Sequence, residues 1–145
     1  MKRLRFSVAI AASRRNVWNT MLEPDSYRAW TAAFTEGSYY EGSWETGAKI
    51  RFLSPGGDGM IAEIAENRPF EFVSIRQLRI IKDGADDTES PEARAWTPAY
   101  ENYTFTEKDG MTEVVVDVDV NERYEKVLSD VWPKALRRLK EICER

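Results

Sequence analysis

Histidine is absent from all 145 residues, and that absence closes off more chemistry than any motif present opens. Ser/His/Asp and Cys/His nucleophile systems, and imidazole-based metal sites, need a group that titrates near neutral pH or offers a neutral nitrogen ligand. Cysteine is almost as scarce. Cys143 stands alone, so no internal disulfide can form, which fits a reducing cytoplasm. Long apolar runs are missing too, and the charged start MKRLRFSVAI has no extended apolar region or cleavage site, so neither a membrane span nor a signal peptide is expected. Nor is there a basic surplus. With 21 Lys and Arg against 25 Asp and Glu, spread along the chain, a net charge of -4 argues against nucleic acid as the principal partner.

What remains is globular in character, at 42% hydrophobic and 12% aromatic residues. A chain of this length forms one domain, residues 1–145, and can bury about 68–70% of its unfolded surface, enough for a self-sufficient core. No repeat or linker divides it. In RLRFSVAI, Leu4, Phe6, Val8 and Ile10 alternate with polar or small residues, the period-2 pattern of a half-buried strand. Ser13 can cap a helix carrying Val17, Trp18, Met21 and Leu22 and ended by Pro24; Asp25 or Ser26 then caps a shorter piece with Tyr27, Trp30 and Phe34.

From Gly37 to Val120 the rhythm is strand and turn. Strands are expected over 39–44, 49–53, 60–66, 70–81, 100–107 and 112–120, joined by turn-forming stretches such as ETG, SPGGDG and KDG. The polar segment 82–98 is expected as a long exposed loop that closes back through Trp96 and Pro98. In the last strand Val114, Val116, Val118 and Val120 share one face, while Glu113, Asp117 and Asp119 share the other. The apolar face needs a cover. The C-terminal stretch supplies one: Tyr124, Val127, Leu128, Val131, Trp132, Ala135, Leu136, Leu139 and Ile142 form a stripe at helical spacing, with Asn121 as cap. Pro133 bends that helix or marks a fresh start at Asp130.

The stretches VWNTMLEPDSYRAW, YYEGSWETGAKIRF, GGDGM with IAENRPFEFVSI, YENYTF and WPKALRRLKEICE carry a resemblance that extends over essentially the whole chain. The chain resembles the START-like, or SRPBCC, superfamily, and more narrowly the group similar to the activator of the heat-shock-protein-90 ATPase. The resemblance implies an α+β helix-grip fold, β-α-α-β6-α, with a curved antiparallel sheet around a long C-terminal helix. It also implies a cavity between sheet and helix, which various members use for lipids, sterols, polyketides or other apolar molecules and a few use for cyclase or dehydratase chemistry. None of the matched stretches is a catalytic signature.

Parity places Tyr40 and Trp44 on one strand face, Ile50 and Phe52 on another, Met60 and Ile64 on a third, and Tyr103 and Phe105 on a fourth. As inward faces they converge on Trp30, Phe34, Trp132 and Leu136, and the rings either pack a solid core or line a pocket. In FEFVSIRQLRI, an inward Phe72, Leu78 and Ile80 brings Ser74 and Arg76 inward as well, and the face of Tyr103 and Phe105 also carries Glu101. Arg76 with Glu101 is then the polar candidate, because neither charge is tolerable alone in an apolar hollow. The other parity puts Val73 and Ile75 inside and leaves Arg76 in water.

Other patterns fail on context. GGDG precedes a strand and so reads as a hairpin turn, and Asp117 and Asp119 read as a solvated face. Cys143 lies near Lys140 and Arg145, which could lower its pKa, but also fits as a small residue on the helix stripe. No metal or cofactor is expected. The first functional reading is a module that binds a small apolar or amphipathic molecule in the cavity. The second is a domain that binds a chaperone, although the eponymous activator has a further domain beyond the length of this sequence. The third is an enzyme that uses the cavity's polar residues.

Overall fold

A computed structural model describes residues 1–87, 90–91 and 99–145. Strands β1 (Lys2–Ile10), β2 (Tyr39–Gly42), β3 (Lys49–Leu53), β4 (Gly59–Arg68), β5 (Phe72–Lys82), β6 (Ala85–Asp87), β7 (Ala99–Lys108) and β8 (Met111–Val120) form one antiparallel sheet. Their spatial order is β1-β8-β7-β5-β4-β3-β2, with β6 paired to β5 off that path. Helices α1 (Arg14–Leu22) and α2 (Pro24–Thr31) follow β1, and α3 (Glu125–Cys143) closes the chain after a 3-10 turn at Glu122–Tyr124. This is the α+β helix-grip architecture: a curved, open sheet against a long terminal helix.

The pairing of the first strand with the last follows from side-chain alternation. Leu4, Phe6 and Val8 stand opposite Val118, Val116 and Val114 on the inner face, while Arg3 and Arg5 stand opposite Asp119 and Asp117 on the outer one. The outer residues form ion pairs of 2.9 and 2.7 Å, so Asp117 and Asp119 balance arginines on an edge strand whose charges also discourage further strand addition. The SPGGDG turn closes as expected, with Ser54 N–H donating to the Asp58 carbonyl at 2.9 Å. Gly59 beyond it has no room for a side chain, since a Cβ there would lie 2.0 Å from the Phe52 carbonyl oxygen.

Ser13 caps α1 by accepting a hydrogen bond from the Asn16 N–H at 3.1 Å. Ser13→Ala is expected to cost about 1 kcal/mol of unfolding free energy, measured by urea denaturation, because a terminal donor loses its partner. Pro24 does more than end α1. It occupies the first turn of α2, where a missing N–H costs nothing, and Glu23 takes the capping position without a side-chain bond; neither Asp25 nor Ser26 is the cap. Asn121 caps the 3-10 turn by accepting from the Arg123 N–H.

Helix α3 runs through Pro133 as one element, with no fresh start at Asp130. Trp132, Ala135, Leu136, Leu139 and Cys143 are buried, but Val127, expected on the same stripe, is 58% exposed. Helix α3 packs on β1, α1 and α2, its C-terminal half joining the closed core, and the Phe6 ring stacks on Trp132 at 6.1 Å. One further expectation needs correction: residues 85–87, assigned to the loop, form β6. The expected closure through Trp96 and Pro98 lies outside the described residues.

Candidate functional site

Between α2, the N-terminal half of α3 and the strands lies a cavity of about 330 Å³. Its walls are mostly rings and aliphatic chains. Tyr27, Trp30 and Phe34 come from α2 and the turn after it, Phe52 and Met60 from β3 and β4, Ile75 from β5, Val118 from β8, and Leu128 and Trp132 from α3. The rings brace one another: Phe34 meets Trp132 edge-on at 4.8 Å, Trp30 meets Trp132 at 6.2 Å, and Tyr27 meets Phe52 at 6.1 Å. Rigid planes held edge-to-face leave space that flexible aliphatics would fill.

On strands β5 and β7 three polar side chains interrupt the apolar wall. Glu101 stands opposite Ile75 on the inner face, Tyr103 follows on the same face, and Gln77 lies two residues beyond Ile75. The Tyr103 hydroxyl donates to the Glu101 carboxylate. Burial pushes the Glu101 pKa up to about 6 against the opposing effect of that hydrogen bond, and burial beside Glu101 raises Tyr103 well above the usual phenol range. Gln77 is 6% exposed, and its side-chain oxygen is buried without a partner. Of the other ring hydroxyls, burial raises the pKa of Tyr27 strongly, and Tyr40 donates to the Leu22 carbonyl.

Seven of the residues singled out from sequence line this cavity: Trp30, Phe34, Phe52, Met60, Glu101, Tyr103 and Trp132. The remaining five do not. Tyr40 and Trp44 stand behind Phe52 as a second row of rings, with Tyr40 5.4 Å from Trp44 and Trp44 5.7 Å from Phe52. Phe105 packs on Trp18 at 5.1 Å, and Leu136 belongs to the closed core. Arg76 is on the opposite face of the sheet, beside Glu63, so it does not pair with Glu101.

The error over Arg76 has a structural cause. Ile61 pairs with Arg79 and Ala62 with Gln77, which leaves Leu78 as an extra residue in β5 and reverses its alternation there. Ile80 thus shares the face of Met60, as expected, while Val73, Ile75 and Gln77 share it on the other side of the bulge. Sequence reasoning missed Gln77, Tyr27 and Leu128 as lining residues. Tyr27 and Leu128 were visible as members of helical stripes, and Gln77 follows from the other parity of β5, which carries it on the face of Val73 and Ile75.

A second hollow of about 370 Å³ lies on the outer face, lined by Glu41, Lys49, Arg51, Arg79 and Asp86 with Ile61 and Leu78. Charges of both signs around an open hollow suit solvent better than an apolar guest. Cys143 is buried and its pKa is raised by burial, so the neighbouring cations do not activate it. Among the described residues no helix is long and apolar enough to cross a membrane.

A curved antiparallel sheet closed on one side by a terminal helix, with a ring-walled hollow between the two, defines a helix-grip protein of the START-like class. The pattern of the family described as "Activator of Hsp90 ATPase homolog 1-like protein" matches residues 11–144, and the chain belongs to that family. No curated protein matches it. Among solved structures, protein MLL2253 from Mesorhizobium loti superposes with a TM-score of 0.76 at 12% identity, covering 97% of this chain and 95% of that one. The Aha1 dimer from Colwellia psychrerythraea gives 0.74 at 18% identity over 99% and 97%. DynU16, from the dynemicin biosynthetic locus, gives 0.70 at 19% identity, covering 97% of this chain and 46% of its own. At these identities the likeness is one of fold.

Proposed function

We propose that the protein is a binding module for a small hydrophobic or amphipathic molecule, held between the sheet and the N-terminal half of α3. The observation that carries this reading is the unfilled, ring-walled space of about 330 Å³, which a protein packing only for stability would have closed. Family membership and fold support it, since both fit a ligand-binding module. No catalytic step is proposed, and the work of the cavity is to remove an apolar surface from water.

A thermal-shift screen with fatty acids, flavonoids and aromatic polyketides tests the reading. A fitting compound at roughly 100 times its Kd is expected to stabilise the fold by about 2.7 kcal/mol. Leu128→Trp, which puts an indole into the cavity from a half-buried position, is expected to keep the fold and abolish that gain. If no apolar class raises the melting temperature, yet a chaperone retains the protein in a pull-down, the reading is wrong and the protein-binding alternative replaces it.

A further inference from the structure

The cavity's own donors are largely taken. The hydroxyls of Tyr103, Thr31, Ser38 and Ser54 donate to Glu101 and to the carbonyls of Tyr27, Thr35 and Asp58, and the Trp30 indole N–H donates to the Met21 carbonyl. What the wall still offers is acceptors. One is the Glu101 carboxylate, which accepts from the Tyr103 hydroxyl; another is the Gln77 side-chain oxygen, buried with no partner among the described residues. Among the described residues no lysine or arginine lines the cavity. A guest with a carboxylate or phosphate would meet an acid and an orphaned acceptor with no cation to receive it, whereas a guest that brings protons would satisfy both. Aromatic faces around the same space add to the preference, because they attract cations and repel anions.

On the reading of the cavity as a ligand site, we infer that its natural guest is an apolar molecule carrying a protonated amine, received by Glu101 and Gln77. The body of the guest lies against Trp30, Phe52 and Trp132, and its ammonium group takes the place of the water that the carboxylate would otherwise require. Rotation about the terminal torsion of Gln77, which is soft, turns its oxygen toward the guest. Above pH about 6 Glu101 is ionised and the pairing is charge to charge; below that it is protonated and the preference fades. Among the described residues the other titratable groups that face this space are Tyr27, Tyr103 and Asp58. The two phenols stay neutral throughout the range, and Asp58 is an exposed carboxylate at the rim.

Four compounds with one naphthalene body test the inference by calorimetry at pH 7.5: 2-(2-naphthyl)ethylamine, 2-(2-naphthyl)ethanol, 2-naphthylacetate and 2-ethylnaphthalene. The amine is expected to bind at least about tenfold more tightly than 2-ethylnaphthalene, as a hydrogen bond to a charged group implies, and the carboxylate to bind most weakly. At pH 5 the lead of the amine over the alcohol should shrink. Glu101→Gln and Gln77→Leu, each chosen to keep the apolar walls, should bring the amine down toward the alcohol without weakening 2-ethylnaphthalene. Binding of 2-naphthylacetate as tightly as the amine, or an amine lead that survives in both variants, overturns the inference and leaves the cavity reading standing. If none of the four compounds binds, the cavity reading fails and the inference fails with it.

Discussion

Trp132→Ala is expected to lower the unfolding free energy by about 3–5 kcal/mol, the range for removing a large buried ring. Trp132 is 3% exposed and touches four other rings: Phe6 on the side of the closed core, and Trp30, Phe34 and Tyr103 on the side of the cavity. It is the partition between solid packing and open space. Removing it joins the cavity to the core, so the structure cannot collapse around the loss as readily as it could at an isolated site. Against a total stability of about 5–15 kcal/mol for an ordinary domain, such a loss brings the chain close to unfolding. Urea denaturation should show a lower midpoint with an unchanged slope. A loss below about 1 kcal/mol would mean that the ring hangs in space without supporting either side.

The second large effect has the opposite sign. Glu101 holds its proton more tightly in the folded protein, at a pKa of about 6 against an ordinary 4.5, because burial penalises its charged form. Between these values the native state binds more protons than the unfolded one, so stability falls as pH rises through this window and stays reduced above it. The difference of about 1.5 units corresponds to about 2 kcal/mol. Glu101→Gln removes the titration and keeps a carbonyl oxygen that can accept from Tyr103. The variant is therefore expected to be more stable than the wild type at pH 7.5, by up to about 2 kcal/mol, with the gap closing below pH 4.5. Denaturation across pH 4–8 measures it. A variant less stable at pH 7.5 would reveal a cationic partner for the carboxylate. A carboxylate kept at a cost in stability, facing an apolar space, is the kind of group retained for binding.

The architecture was legible in the sequence because its elements obey simple periods. Val114, Val116, Val118 and Val120 keep one face with Val115 as the single apolar residue opposite among the acids, and Trp132 to Leu139 repeats at helical spacing, so the inner faces of β8 and α3 could be assigned from pattern alone. The site was legible only in part. Tyr40, Phe52, Tyr103 and Phe105 were placed on the correct face of their strands while Phe72 was not, and whether a ring stands in the first row, as Phe52 does, or behind it, as Tyr40 and Trp44 do, is a matter of tertiary packing that no single strand encodes. Strand β5 was the hardest. It is apolar on both faces, and the bulge at Leu78 reverses its parity midway, which turned Arg76 outward and brought in Gln77 in its place. Helix α3 misled at its start: Val127 keeps the helical spacing but is exposed, because a periodic stripe does not say how far along the helix its cover extends.

Methyl-group NMR during a titration with 2-ethylnaphthalene addresses the cavity most directly. The signals of Met60, Ile75, Val118 and Leu128 should move together and saturate, while those of Val17, Val114 and Leu139 in the closed core stay still. Stationary signals at the first four residues, or shifts confined to Ile61 and Leu78 on the outer face, would show that the space between helix and sheet takes no guest.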